Sequence, residues 1–399
     1  MSTTTEKLLA VTGNQAVAMA MKQLDPDVVS AYPITPQTDV VQTFSQYVAD
    51  GVVKAEFVTV ESEHSAMSAC IGSAAAGART MTATSSAGFA LMWEVVYVAA
   101  SLRLPIIMTT VNRALSGPIN IHCDHSDSMG GRDSGWIQIY NEDAQEAYDA
   151  TVMSFPIAEH ADVRLPLMNM YDGFIISGAI GPLRPLSDET VKAFAGEQPV
   201  VRTLLKPEEP ITVGPFDGLH GWYFEHKIAQ NRAMEAALPI IQDTYDRFAE
   251  VSGRQYHHLM QYDMEDADVA IVVIGSAAGT ARTVIKTLRD EGIKAGLIKI
   301  RTFRPFPTEE MARALSGVKA VAVLDRADSF GAQGGPLYLE VLAALYQKGV
   351  HTKTVNCIYG LGGRDLYPRN IEDVYRMLAD AADGGDLPHS RVYLNMKGE

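Results

Sequence analysis

The sequence predicts an α/β protein made of two parallel-sheet domains. Three observations carry this. Short apolar, β-rich runs alternate with amphipathic stretches of helical spacing, the pattern of parallel strands joined by crossover helices. The alternation stops in a proline-rich, aperiodic stretch at 182–222 and a long polar helical segment at 223–258, then restarts. A length of 399 residues exceeds one ordinary core and suits two or three domains. The expected division is 1–222, a helical bridge over 223–258, and 259–399.

In the first half, VVSAYPI (28–34) reads as a strand and TPQTDVVQTFSQYVAD (35–50) as a helix. EFVTV (56–60) is a strand before the small-residue helix ESEHSAMSACIGSAAAGA (61–78). RTMTATS (79–85) is a strand and GFALMWEVVYVAASLR (88–103) a helix, followed by the strand LPIIMTTVN (104–112). Residues 113–140 look irregular. DAQEAYDATVMSFPIAEH (143–160) is a helix, and LPLMNMYDGF leads into another strand. Residues 182–222 read as a surface excursion. The bridge carries an interior Pro239, which should kink or break it, because proline lacks the N–H and crowds the preceding turn.

The second half repeats the pattern. Strands are expected at ADVAIVVIG (267–275), AGLIKI (295–300), AVAVLD (320–325) and TKTVNCIYG (352–360). Helices are expected at TARTVIKTLRDEG, PTEEMARALSG (307–317), GPLYLEVLAALYQKG and NIEDVYRMLADAADG. Thr308 is the expected N-cap of the second of these, with Glu309 and Glu310 in its acid-favouring first turn.

The chain is 47% hydrophobic with formal net charge -15, and it has no basic stripe. Nucleic-acid and anionic-membrane partners need local positive charge, so neither is expected. No apolar run reaches the ~18–20 residues of a membrane span, and MSTTTEKLLAVTGNQ lacks the basic and apolar regions of an export signal. The expected compartment is the cytoplasm. Cys70, Cys123 and Cys357 are sparse and form no CxxC, which argues against a disulfide framework, a zinc knuckle or a self-contained iron–sulfur site.

Several residues could carry chemistry. In AYPITPQT two prolines enclose Thr35. They either punctuate a strand-to-helix turn or aim that threonine at a ligand. Glu61, Glu63 and His64 open the small-residue helix. Acids there complement the helix dipole, and one could also bond a ring nitrogen of a flat ligand. TATSSAGFALM puts Ser86 and Gly88 in a turn at a strand's carboxyl end, where α/β proteins usually bind ligands. It is no dinucleotide fingerprint, since no G-x-G-x-x-G occurs. Arg113 ends a strand and could bind a carboxylate in two-pronged fashion. Asp124 and His125 follow in the same loop. His125 suits either a proton shuttle or a place behind the site, and CDHSD lacks metal-ligand spacing.

YPITP, ESEHSA, TSSAG, NRALS, DHSD and RDSGW, in this order, with IRTFRPFPTEEM and LDRADSFGAQGG further on, resemble the α chain of the multisubunit 2-oxoacid:ferredoxin oxidoreductases, most of all the pyruvate branch, pyruvate synthase. The resemblance covers nearly the whole chain. It implies a pyrimidine-type thiamine-diphosphate domain followed by a domain like the C-terminal one of transketolases. It implies a thiamine site shared with a β chain, which supplies the diphosphate contacts, Mg²⁺ and an iron–sulfur cluster. The absence of GDG and CxxC here agrees with that division. The implied partners are β, γ and δ subunits carrying [4Fe–4S] clusters, ferredoxin, and CoA as co-substrate, in a dimer of heteromers.

By the same resemblance Glu63 bonds N1′ of the aminopyrimidine, and Ser86 and Gly88 line the cofactor. Thr35 holds the substrate's carboxylate or carbonyl from a buried position, and Arg113 pairs with the oxoacid carboxylate. Asp124 and His125 lie in the matching loop without an assigned role. The implied reaction is pyruvate + CoA + oxidised ferredoxin to acetyl-CoA + CO₂ + reduced ferredoxin, reversible toward CO₂ fixation. The alternatives are another 2-oxoacid (2-oxoglutarate, branched-chain or oxalate) or a non-catalytic scaffold subunit of the same fold.

Overall fold

The computed structural model describes residues 8–199, 203–389 and 391–398. Residues 1–7, part of the stretch judged for an export signal, and residues 200–202 of the 182–222 excursion lie outside them.

The described residues open with β1 (Leu9–Thr12) and α1 (Gly13–Leu24), neither marked by a run that stood out in the sequence. Thr12 caps α1 through a reciprocal pair with Gln15, so the helix start is specified locally. Then follow β2 (Val28–Ala31), α2 (Thr38–Ala49), β3 (Glu56–Thr59), α3 (Glu63–Ala75) and β4 (Thr80–Thr84). The expected helix 88–103 is two helices, α4 (Ser86–Leu91) and α5 (Trp93–Ser101), divided at Met92. After β5 (Ile107–Asn112), the stretch expected to be irregular holds α6 (Ser126–Gly130) and the fully buried strand β6 (Ile137–Asn141). The correction has a simple cause: IQIYN is short, and it is strand-forming because it is buried on both faces by neighbours distant in sequence. α7 (Ala144–Ala158), β7 (Leu167–Asp172), β8 (Ile180–Leu183) and α8 (Asp188–Ala195) complete this half. The excursion therefore has a structured root: Val191, Phe194 and Ala195 of α8 are buried, while Phe216, Leu219 and Trp222 further on are exposed.

The bridge is a single thirty-residue helix, α9 (Tyr223–Ser252), and Pro239 does not break it. Its buried residues Ala233, Ala237, Ile241, Thr244, Tyr245 and Phe248 form one stripe packed against the first domain's core, and this burial overrides the local proline penalty.

The second half runs β9 (Leu259–Tyr262), β10 (Val269–Ile274), α10 (Ala277–Asp290), β11 (Ala295–Ile300), β12 (Thr302–Arg304), α11 (Thr308–Leu315), β13 (Ala320–Asp325), α12 (Pro336–Gln347), β14 (Lys353–Ile358), α13 (Pro368–Ala382) and β15 (Val392–Tyr393). Thr308 is the first helical residue of α11 and not its cap. Pro307 holds the cap position, with no side-chain hydrogen bond.

Among the described residues, the first large sheet has the order β12-β6-β7-β5-β4-β2-β3, parallel except for β12. The second has the order β15-β14-β13-β10-β11-β9, parallel except for β9. We keep the division at 222 and 258 as a proposal, with one exchange across it: β12 leaves the second half and closes the edge of the first sheet. Buried charges accompany that exchange. Lys299 meets Glu142 at 2.7 Å and Glu146 at 2.5 Å, and Arg301 meets Glu146 at 3.1 Å. One apolar cluster continues from α3, α4 and α5 into the second sheet, so the halves share a core.

Candidate active site

Thr35, Glu63, Ser86, Gly88 and Arg113 all follow the carboxyl ends of strands: Thr35 after β2, Glu63 after β3, Ser86 and Gly88 after β4, Arg113 after β5. In the sheet these four strands are consecutive, in the order β5-β4-β2-β3. The parallel topology thus brings residues from 35 to 113 to one edge, the edge where open α/β sheets bind ligands.

Glu63 is the first residue of α3, behind the N-cap Ser62, whose hydroxyl accepts from the Ser65 amide at 3.2 Å. The small side chains of α3 and the turn of α4 allow Glu63 to be 6% exposed. Gly88 completes the fit. A Cβ there would lie 2.5 Å from Glu63 Oε1 and 2.7 Å from Thr84 Oγ1. Glu63 nevertheless makes no side-chain hydrogen bond among the described residues. A carboxyl with no internal partner at this edge can share a proton with a lone-pair ring nitrogen such as N1′ of an aminopyrimidine.

Arg113 is also 6% exposed. Its Nη1 donates to the Thr35 carbonyl at 2.9 Å and its Nε to the Asn120 carbonyl at 3.1 Å, so Arg113 and Thr35 are in direct contact. Nη2 donates to no group among the described residues. Thr35 is exposed on this chain, whereas a buried hydroxyl was expected, because the turn stands beyond the strand end. The turn itself is anchored. Asn14 Nδ2 donates to the Pro36 carbonyl at 2.8 Å, and Gln37 Nε2 to the Ala83 carbonyl at 3.0 Å.

Ser86 is placed differently from a cofactor contact. It is fully buried, and its hydroxyl donates to the Ala114 carbonyl at 2.5 Å. Its backbone is left-handed (φ 47°), a conformation unfavourable for a residue with a Cβ and maintained by surrounding bonds. The main such bond runs to Asp127, whose Oδ2 accepts from the Ser86 amide at 3.0 Å and from the Arg113 amide at 2.9 Å. Its Oδ1 accepts from Asn112 Nδ2 at 2.9 Å and the Ser128 amide at 2.7 Å. Asp127 therefore ties the turn that carries Gly88 to the strand end that carries Arg113. Burial pushes its carboxyl up to about 6 against these donors. Nothing in DHSD distinguished this second aspartate as the hub, because its partners are amides remote in sequence.

Asp124 and His125 lie where that edge meets the second half. Asp124 Oδ1 accepts from the Ser126 amide at 2.9 Å, and its Oδ2 from the Gly362 amide at 3.1 Å. His125 Nε2 meets Asp172 Oδ1 at 2.7 Å, and both are 1% exposed. Asp172 also accepts from Arg326 Nη1 at 2.8 Å, the Ser276 amide at 3.1 Å and the Ser276 hydroxyl. Burial disfavours its charge, but Arg326, His125 and Ser276 outweigh burial and hold the carboxyl well below the usual range. Cys123, His125 and Asp172 bring three potential metal donors together, yet the Arg326 guanidinium already balances the carboxylate and would repel a cation. This cluster joins the two halves.

Comparison with known proteins places the chain in a family. Residues 19–246 match the family model described as pyruvate flavodoxin/ferredoxin oxidoreductase, thiamine diphosphate-binding, and residues 267–371 match pyruvate:ferredoxin oxidoreductase core domain II. The chain is 52% identical over 389 residues to the pyruvate synthase subunit PorA of Thermotoga maritima, covering 98% of each chain. It is 40% identical to the ketoisovalerate oxidoreductase subunit VorA of Pyrococcus horikoshii, over 97% of this chain and 98% of that one. In fold it is similar to a 2-oxoglutarate:ferredoxin oxidoreductase from Magnetococcus marinus, with TM-score 0.71 at 21% identity, covering 94% of this chain and 66% of that one.

Proposed function

The chain belongs to the pyruvate flavodoxin/ferredoxin oxidoreductase family and carries its thiamine-diphosphate-binding domain, and from that premise we propose that it is the α-type subunit of a complex that converts pyruvate, CoA and oxidised ferredoxin to acetyl-CoA, CO₂ and reduced ferredoxin. The observation that carries this reading is Glu63, a buried carboxylate without a hydrogen-bond donor, cradled by a glycine at the edge of a parallel sheet. When bound, thiamine diphosphate supplies the nucleophilic carbon and the electron sink for decarboxylation.

In this reading Glu63 holds a proton at the pyrimidine N1′ and so governs the basicity of the ring's amino group. Gly88 leaves room for Glu63 and the ring. Arg113 offers Nη2 to the oxoacid carboxylate, while Thr35 offers its hydroxyl beside it. Ser86 acts through its backbone, setting the turn, and Asp127 fixes that turn relative to Arg113. A β chain completes the site with the diphosphate and Mg²⁺ contacts. [4Fe–4S] clusters on β, γ or δ partners would supply the one-electron path to ferredoxin, CoA would be the acetyl acceptor, and the assembly would be a cytoplasmic dimer of heteromers. Identities of 52%, 46% and 45% to three chains named pyruvate synthase subunit support pyruvate as substrate.

The test is CoA-dependent viologen reduction by the native complex, purified without oxygen, across a panel of 2-oxoacids. Pyruvate should far exceed the others. Preference for a branched-chain acid or 2-oxoglutarate would keep the chemistry and replace the substrate, and a cluster-bearing complex inert to every oxoacid would leave only a scaffold role.

A further inference from the structure

Arg113 must present its guanidinium plane at a fixed angle to bind a carboxylate through two bonds, and a long side chain does so only if its stem is held. Two carbonyls hold it, those of Thr35 and Asn120. The Thr35 turn is anchored to the first domain. The Asn120 loop, exposed at 115–119, is closed at its base by the Ala114 amide donating to the His122 carbonyl at 3.0 Å. The Asn120 side-chain amide reaches across to the other half of the chain. Its Nδ2 donates to the Gly362 carbonyl at 2.9 Å, while its Oδ1 accepts from the His122 amide at 2.7 Å. The Gly362 amide donates to Asp124 Oδ2 at 3.1 Å, and the Gly363 amide to the Cys123 carbonyl at 2.7 Å.

This contact is built for closeness. Gly362 and Gly363 have φ of 58° and 81°, where other residues are strained. A Cβ on Gly362 would collide with Asn120 Nδ2, and one on Gly363 with the Cβ of His122. The turn after β14 is thus moulded to the loop that carries Asn120.

We propose that Asn120 and the Gly360–Gly363 turn form a latch through which the second domain positions the Arg113 guanidinium for the oxoacid carboxylate. Asn120 is a positioning residue, and the second domain contributes to substrate affinity without touching the substrate. This rests on the assignment of Arg113 made above. The latch acts on the carboxylate end, so it should leave the Glu63 end of the site unchanged.

The experiment uses the intact complex with Asn120→Ala, Gly362→Ala and both together. It reads pyruvate KM, kcat and the oxoacid-independent exchange of the thiamine C2 proton. Each single substitution should raise KM about ten-fold, the scale of one lost hydrogen bond to a positioned group. kcat and C2 exchange should stay within about two-fold, and the double variant should exceed neither single by much, since both remove one contact. A merely structural role would lower the amount of assembled complex and its kcat while leaving KM alone. Unchanged KM in Asn120→Ala, or additive effects in the double variant, would overturn the latch. If Gly362→Ala does not assemble, Asn120→Ala alone decides. A wild-type complex inert to all oxoacids would defeat the functional reading instead, whereas a raised KM in Arg113→Ala with an unchanged KM in Asn120→Ala defeats only the latch.

Discussion

Glu63 and Asp172 both lie at carboxyl ends of strands in the same sheet, both are buried, and they have opposite surroundings. Asp172, at the end of β7, accepts from His125, Arg326 and the amide and hydroxyl of Ser276. Glu63, just past β3, accepts from nothing among the described residues. Burying a carboxylate is costly in either place. At Asp172 the protein meets that cost with its own cations and donors, and the result is a joint between halves. At Glu63 no internal donor meets the carboxyl, which leaves it open to the ligand proposed above. In the proposed reading, saturation of buried acids separates the joint from the site better than burial does.

The largest effect that tests this contrast is on activity. Glu63→Gln should slow thiamine C2 proton exchange and oxoacid turnover by about 10²–10⁴, the range for a lost acid–base group. Because no internal bond is removed, the melting temperature should barely move. An exchange rate equal to wild type in the assembled variant would remove Glu63 from the pyrimidine.

Asp172→Ala should do the reverse. Leaving Arg326 buried and unpaired should cost about 3–5 kcal/mol in denaturant unfolding. The pH dependence has a defined sign. The folded carboxyl is held below its unfolded value of about 3.9. Its stabilisation is therefore present above that value and disappears as pH falls through the folded one. The gap between wild type and Asp172→Ala should narrow in acid, and a constant gap from pH 7 to pH 3 would contradict the joint.

Arg113→Ala tests whether the edge of the site behaves like Glu63 or like Asp172. A lost charge-assisted pair with substrate should raise pyruvate KM roughly 10- to 100-fold with a small change in stability. Normal saturation by pyruvate would return Arg113 to a structural role.

The smallest expected effect is at Ser86. Its hydroxyl bonds the Ala114 carbonyl, so Ser86→Ala should cost about 1 kcal/mol in stability and leave thiamine affinity within about two-fold. A large loss of thiamine affinity, measured by titrating the cofactor-depleted complex, would place the hydroxyl on the cofactor side.

Much of this was legible along the chain. Alternating apolar runs fall on the parallel strands, and AGLIKI and AVAVLD match β11 and β13 to the residue. The motifs around Thr35, Glu63 and Gly88 were visible because each is a local strand-to-helix turn with its own proline, glycine or cap chemistry, and Arg113 because it ends an apolar strand run. Other features were not. β6 and β12 are too short for periodicity; β6 pairs between β7 and β12, and β12 pairs with β6 alone among the described residues. α9 continues through Pro239 because of what it packs against.

By itself, the sequence determined the α/β class, the two runs of alternation, and which residue types stand at the turns, since these depend on propensity and pattern over a few residues. The tertiary structure decided which of those residues meet. The neighbourhood of β5, β4, β2 and β3 sets Arg113 on Thr35 and Gly88 under Glu63. The seam between halves turns Asp124 and His125 into joints and brings Gly362 to Asn120. Hydrogen bonds and burial act through space over a few ångströms, and separations of 78 residues between Arg113 and Thr35, or 242 between Asn120 and Gly362, leave no local trace in the chain.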